Sequence, residues 1–393
     1  EALEVNPVFV TSSQKMNQLA KKYFRLRSSA KIEVEGQIYS LRGVNRFAVH
    51  SNRAIRKEGL DGFWGFMDQN SDEIDALFLD LRSIRQATAE QLGHKNHVKL
   101  GYQNVKKYDY TPADMALFRT QVQESVIPVY SKIRKEQQEK LGYKELFYYD
   151  TVYFKTGNAQ LNGDLTTTID NFKKTFTEMS PETAILWEDM VENNWIDFSN
   201  DKNKNQSANY CRCFPALGKP FVNTFFMGTS GNIRTIFHEF GHAFQKQQSR
   251  EVGQKWFGHF QAAPDIGEIH STAMEYFGWN WYPLFFGEDA QKFRYQKLKG
   301  ALSLLLGASI VDDFQHFIYE NPQSTIDELE HKYAEIERHY KPYSNYDDNI
   351  FLEKGDIVRC VTATGGGYGK PENRTKEQVL LDVKNGYISK KEA

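Results

Sequence analysis

Cysteine is scarce in this 393-residue chain: there are three, Cys211, Cys213 and Cys360. That is too few for a disulfide framework and favours a reducing compartment. An excess of one charge is also lacking, with 49 Lys and Arg against 51 Asp and Glu and a formal net charge of −2. A balance this close to neutral argues against a broad nucleic-acid footprint and against a polybasic membrane surface. Long hydrophobic runs are missing. The longest, Ala301 to Val311, contains Gly307 and Ser309 and is too short for a membrane helix, which needs about 20 residues. The N-terminal Glu-Ala-Leu-Glu-Val has neither a basic nor an apolar segment, so no signal peptide is expected. It also lacks an initiator Met, and the chain reads as processed or as a fragment. These absences lead us to expect a soluble, cytoplasmic protein with no nucleic-acid and no membrane partner.

The chain is long enough for two or three domains, or one large one, and for a substantial core. Helical periodicity dominates. Ile74, Leu77, Phe78, Leu81 and Ile84 form an apolar stripe behind a cap candidate at Ser71. Thr111-Pro112-Ala113-Asp114 opens a helix running to about Leu141, with a kink expected at Pro128. Ser180-Pro181-Glu182-Thr183 opens another, through Val191, and a last one runs from about Ser324 to Tyr340. Strand signals are few. Lys31 to Leu41 alternates around Glu35-Gly36 and reads as a hairpin. Asn209 to Phe214 and Phe221 to Phe226 read as a second strand pair, joined by a turn containing Gly218-Lys219-Pro220. Lys341 to Asp348 is tyrosine-rich and irregular. The fold class expected is mainly α, with a small sheet just before the most informative segment.

That segment reads Thr-Ile-Phe-His-Glu-Phe-Gly-His-Ala-Phe-Gln over residues 235–245. On a helix, His238 and His242 project from the same face one turn apart. Two neutral imidazoles so placed can bind one divalent ion, most plausibly zinc. Glu239, beside the first histidine, is placed to act as general base on a water activated by the metal. Ile233, Ile236, Phe237, Phe240 and Phe244 make the other faces apolar. A third ligand must come from elsewhere. Gln245 and Gln248 stand where one zincin type requires Gly and His, which excludes that type. The remaining candidate is a downstream carboxylate. Asp265, Glu268, Thr272 and Glu275 share one face of a helix. One acid as ligand and another orienting a ligand histidine would explain them, and a plain solvated face is the competing reading. Cys211-Arg212-Cys213 reads as strand packing rather than a metal site. His270 points off the face of Glu268, so packing is its commoner role and substrate contact the other. His259, His316, His331 and His339 belong to no constellation.

His238-Glu-Phe-Gly-His242-Ala-Phe-Gln and Glu268-Ile-His-Ser-Thr-Ala-Met-Glu275-Tyr-Phe together resemble the thimet oligopeptidase and oligoendopeptidase F family of zinc peptidases. The resemblance extends to Gly228-Thr-Ser-Gly231, Ser40-Leu-Arg-Gly and Phe63-Trp-Gly-Phe. It covers roughly residues 10 to 354. It implies a helical zincin of the neurolysin-like, deep-channel type, incomplete at both ends, that cuts internal bonds of short peptides with one zinc ion. It implies His238, His242 and Glu268 as zinc ligands and Glu239 as the base. It gives Glu275 a supporting part behind the ligands, and Asp265 is expected to share that part. Gly228, Gly231 and His270 are candidates for contacts to the substrate.

After Gly355 the character changes. The family continues into a helix with a His and several Tyr that serve the substrate and the developing oxyanion. Here, Thr364-Gly-Gly-Gly-Tyr-Gly and Asp382-Val-Lys-Asn-Gly-Tyr-Ile-Ser resemble the end of the hydantoinase B/oxoprolinase family. Residues 355–393 therefore read as a foreign tail on a peptidase region, 1–354. The leading expectation is a zinc-dependent metalloendopeptidase. The alternative is a zinc-binding but catalytically impaired peptide-binding protein. A hydantoinase-type subunit rests on the tail alone.

Overall fold

The computed structural model describes residues 6–199, 209–214, 217–253 and 264–346. The tail 355–393, Cys360 and His259 lie outside the described residues. The chain divides into two compact units, one of residues 1–157 and 299–393, the other of residues 158–298.

The first unit holds helices α1 (Pro7–Ser28), α2 (Arg53–Gln69), α3 (Ser71–Gln91), α4 (His97–Asn104) and α5 (Pro112–Leu141), with a hairpin of β1 (Ile32–Val34) and β2 (Gln37–Tyr39) between α1 and α2. The hairpin has the expected turn: Glu35 and Gly36 both take positive φ, 50° and 74°, as a two-residue connection that follows the strand twist requires. Thr111 caps α5 in a reciprocal pair, the Asp114 carboxylate accepting from the Thr111 amide at 2.7 Å. The helix runs through Pro128 without being divided there. Ser71 is the first residue of α3 rather than its cap; Asn70 precedes the helix and makes no side-chain capping bond.

The second unit holds α6 (Leu165–Met179), α7 (Pro181–Glu192), β3 (Ile196–Asp197), β4 (Tyr210–Phe214), β5 (Lys219–Asn223), α8 (Ser230–Glu251), α9 (Pro264–Phe277) and α10 (Tyr282–Phe286). α11 (Ala290–Glu320) begins in this unit and ends in the first, where α12 (Ile326–Tyr340) follows. Thr325 caps α12 through Glu328. The sheet order is β3-β5-β4, with β4 antiparallel to β5 and the short β3 parallel to it. β3 carries no signal at two residues. β5 starts at Lys219 rather than Phe221, because Gly218 turns the chain with φ +60° and leaves Lys219 and Pro220 free to pair with Phe214 and Cys213. Thr224 and Phe226 continue the line, their amides donating to the carbonyls of Asp197 and Phe198.

The core of this unit is aromatic. Phe172 and Phe176 of α6, Trp187 of α7, Phe237 and Phe240 of α8 and Phe285 of α10 are all at most 1% exposed. The Phe176 and Phe240 rings stack with centroids 3.9 Å apart. The apolar back of α8 is thereby held, and its other face is left for chemistry. The helical run from Pro264 to Glu320 includes a window apolar enough, by length and composition, to cross a membrane. Within that run Phe285, Phe286, Leu306 and Ile310 are buried, whereas Leu298, Leu304 and Leu305 are exposed, and 28% of the apolar window is buried.

Candidate active site

The turn before α8 is tied down by Asn232. Its Oδ1 accepts from the amides of Met227 and Thr229 at 2.9 and 3.0 Å, and its Nδ2 donates to the Phe225 carbonyl. Gly228 sits in this turn with φ +67°, a conformation that side chains resist, and Gly231 is the second residue of the helix. Both glycines belong to the start of α8, about two turns ahead of His238, and neither is brought to the ligand cluster.

α8 carries His238 and His242 as the spacing requires, with ring centroids 4.9 Å apart. α9 packs across them. A Cβ on Gly241 would lie 2.7 Å from the Ser271 Cα and 2.8 Å from the His270 carbonyl oxygen, so the helices touch backbone to backbone there. This contact brings in Glu268. Its Oε2 lies 3.2 Å from His238 Nε2 and its Oε1 3.6 Å from His242 Nε2. Ligand atoms of a tetrahedral zinc site stand roughly 3.3 Å apart, given metal bonds of about 2.0–2.1 Å. The three donor groups lie within 4.8 Å of one another. The two imidazoles and the carboxylate therefore fit a zinc ion. The Glu268 side chain is 58% exposed, so the cluster is open to solvent on that side.

Glu275, two turns further along α9, is buried and bonds through Oε1 to His238 Nδ1 at 2.9 Å. Its Oε2 accepts from Lys297 Nζ of α11 at 2.5 Å. Burial pushes the Glu275 carboxyl up, but the bonds from His238 and Lys297 and the nearby positive charge outweigh it and hold it below the usual carboxylate range. Burial pulls His238 down, yet the bond to Glu275 and the surrounding acids leave it raised. His242, with no such bond, is pulled down by burial, which favours the neutral imidazole a metal needs. Glu239 is 6% exposed and makes no hydrogen bond among the described residues. Burial raises it to about 7.

Two supporting residues carried no signal. Ser271, fully buried, donates its hydroxyl to Glu268 Oε2 at 2.8 Å. Lys297 lies 22 positions beyond Glu275, and sequence separation gives no hint of that contact. Asp265 is exposed in the first turn of α9 and is not among the groups gathered at the cluster. His270 is exposed rather than packed, and its charge is felt by His242. Cys213 is buried in β4 and Cys211 packs against the core; burial pushes the Cys211 thiol up to about 12, so the pair behaves as packing. His331 and His339 are exposed on α12.

Fold and cluster define a class: a mainly helical protein with a His-Glu-x-x-His helix and a downstream glutamate in the geometry of a metallopeptidase centre. The chain belongs to peptidase family M3, whose model matches residues 47–353. Among solved structures it resembles PZ peptidase A, at 37% identity and a TM-score of 0.83 over 88% of this chain and 61% of that one. It also resembles a protein assigned as oligoendopeptidase F from Bacillus anthracis str. Ames, at 33% identity and a TM-score of 0.80, covering 87% of this chain and 67% of that one. Oligopeptidase PepF of Bacillus subtilis (strain 168) is 20% identical over 315 residues, 74% of this chain and 45% of that protein. The chain thus spans 45% to 67% of the length of these relatives.

Proposed function

We propose that the chain is a zinc metalloendopeptidase acting on short peptides. The observation that carries this reading is the convergence of His238, His242 and Glu268 beside a buried Glu239 that makes no hydrogen bond among the described residues. His238 and His242 would hold the ion through Nε2 and Glu268 through its carboxylate. When bound, zinc supplies a Lewis acid that polarises a peptide carbonyl and brings the pKa of its water toward 7. Glu239 holds a carboxylate raised by burial to about 7, so it can accept a proton near neutral pH and return it to a leaving amine at little cost. Glu275 keeps the Nδ1 proton on His238 and so leaves Nε2 free as the donor to the metal. β4 is an edge strand among the described residues. It offers unpaired backbone groups near α8 along which an extended peptide can align.

A quenched-fluorescent nonapeptide, assayed together with metal content, tests the reading. Cleavage that a chelator abolishes, zinc restores and Glu239→Gln suppresses by about 10²–10⁴, with zinc still bound in the variant, is expected. Bound zinc without any cleavage would instead favour a peptide-binding protein.

A further inference from the structure

We propose that Lys297 is a positioning residue for the metal centre, acting through Glu275 on His238. This rests on the reading of His238, His242 and Glu268 as metal ligands. Lys297 touches none of the three. Its side chain is 4% exposed, its Nζ lies 2.5 Å from Glu275 Oε2, and the Tyr276 ring centroid is 4.0 Å away on another side. Glu275 is equally enclosed, at 6%. It divides its oxygens, one taking the lysine and the other taking His238 Nδ1 at 2.9 Å. The far nitrogen of that same ring, Nε2, faces Glu268 Oε2 at 3.2 Å. Three helices thus build one line from ammonium to carboxylate to imidazole, ending at the donor atom.

The lysine has work to do there. A carboxylate this deep in the protein is costly without a paired cation. Arg234 is the other cation near Glu275, but it stands 3.8 Å from Oε1 and its side chain is 55% exposed, so solvent screens it. Lys297 makes the close, buried pair. An ionised Glu275 can only accept from His238, which fixes the ring's tautomer and its rotation about χ2. Without the lysine, Glu275 loses the bond that fixes its carboxylate in place and no longer imposes either.

The test uses the full chain and zinc itself, with affinity read by competition against a chromophoric chelator at fixed pH. Lys297→Met is expected to weaken zinc binding about 10–100-fold, and Lys297→Arg to recover most of the loss. In a Glu275→Gln background the same Lys297→Met change is expected to cost almost nothing more, because the link is already cut. The double variant also removes both charges of the buried pair, so it keeps the comparison available should Lys297→Met alone fail to fold. Unchanged zinc affinity in Lys297→Met overturns the proposal. So does a loss of equal size in both backgrounds, which would mark a general structural effect. A parent chain that binds no zinc overturns the ligand reading, and this proposal with it.

Discussion

Gly241 of α8 lies against Ser271 of α9 at a distance that leaves no room for a methyl group, since a Cβ there would be 2.7 Å from the Ser271 Cα. The opposing atoms are backbone and cannot rotate aside. Gly241→Ala gains about 1 kcal/mol of helix propensity but must separate two helices, at about 1–3 kcal/mol. It also moves Glu268 away from the histidines. Zinc affinity and melting temperature are both expected to fall. A variant that melts and binds zinc like the parent would show that this contact does not set the site.

Ser271 holds Glu268 by one hydrogen bond of 2.8 Å. In Ser271→Ala the exposed Glu268 carboxylate regains rotational freedom. We expect roughly tenfold weaker zinc binding and a stability change within about 1.5 kcal/mol. Chelator competition reads the first and urea unfolding the second. A large stability loss with intact affinity would contradict this division.

Asp150 is fully buried in the first unit and pairs with Arg53 at 2.6 Å and Arg56 at 2.8 Å. The Arg56 side chain is also fully buried. Asp150→Ala strands that guanidinium without a counter-charge, which costs about 3–5 kcal/mol. Urea denaturation is expected to show a clearly lower midpoint. An unchanged midpoint would mean the pair contributes nothing net.

Lys299 tests burial through pH. It is buried, bonds Gln137 Oε1 and the Thr151 carbonyl, and has no carboxylate partner among the described residues. Burial, aided by the charge of Arg134, lowers it from 10.5 to about 7. Two N–H groups of a neutral amine satisfy both acceptors. The unfolded chain then binds more protons between about pH 7 and 10.5, so stability rises with pH across that window, by at most about 1.4 kcal/mol per pH unit. Below pH 7 the full penalty of the buried ammonium applies. Unfolding free energies of parent and Lys299→Met from pH 7 to 9.5 should diverge by this slope. Parallel curves would place the lysine's pKa at its ordinary value.

Local features were well expressed in the order of residues. Thr111, Ser180 and the Glu35-Gly36 turn act over three or four positions, and the structure uses each as expected. α3 begins at Ser71 itself rather than after it, and β5 begins two residues before Phe221 because Gly218 turns the chain tightly just ahead of it. β3, two residues long, pairs only because β5 is already there to receive it.

The same line divides the site. A helical repeat of 3.6 residues puts His238 and His242 on one face whatever surrounds them, and the residue types alone lead to the expectation of a metal pair with an adjacent base. Choosing among Asp265, Glu268 and Glu275 needed the crossing of α8 and α9 at Gly241, which aims Glu268 at the Nε2 atoms, puts Glu275 on Nδ1 and leaves Asp265 in the exposed first turn. Lys297 comes from a third helix. Such contacts depend on where packed helices meet, and that is a property of the whole core's shape rather than of any interval along the chain.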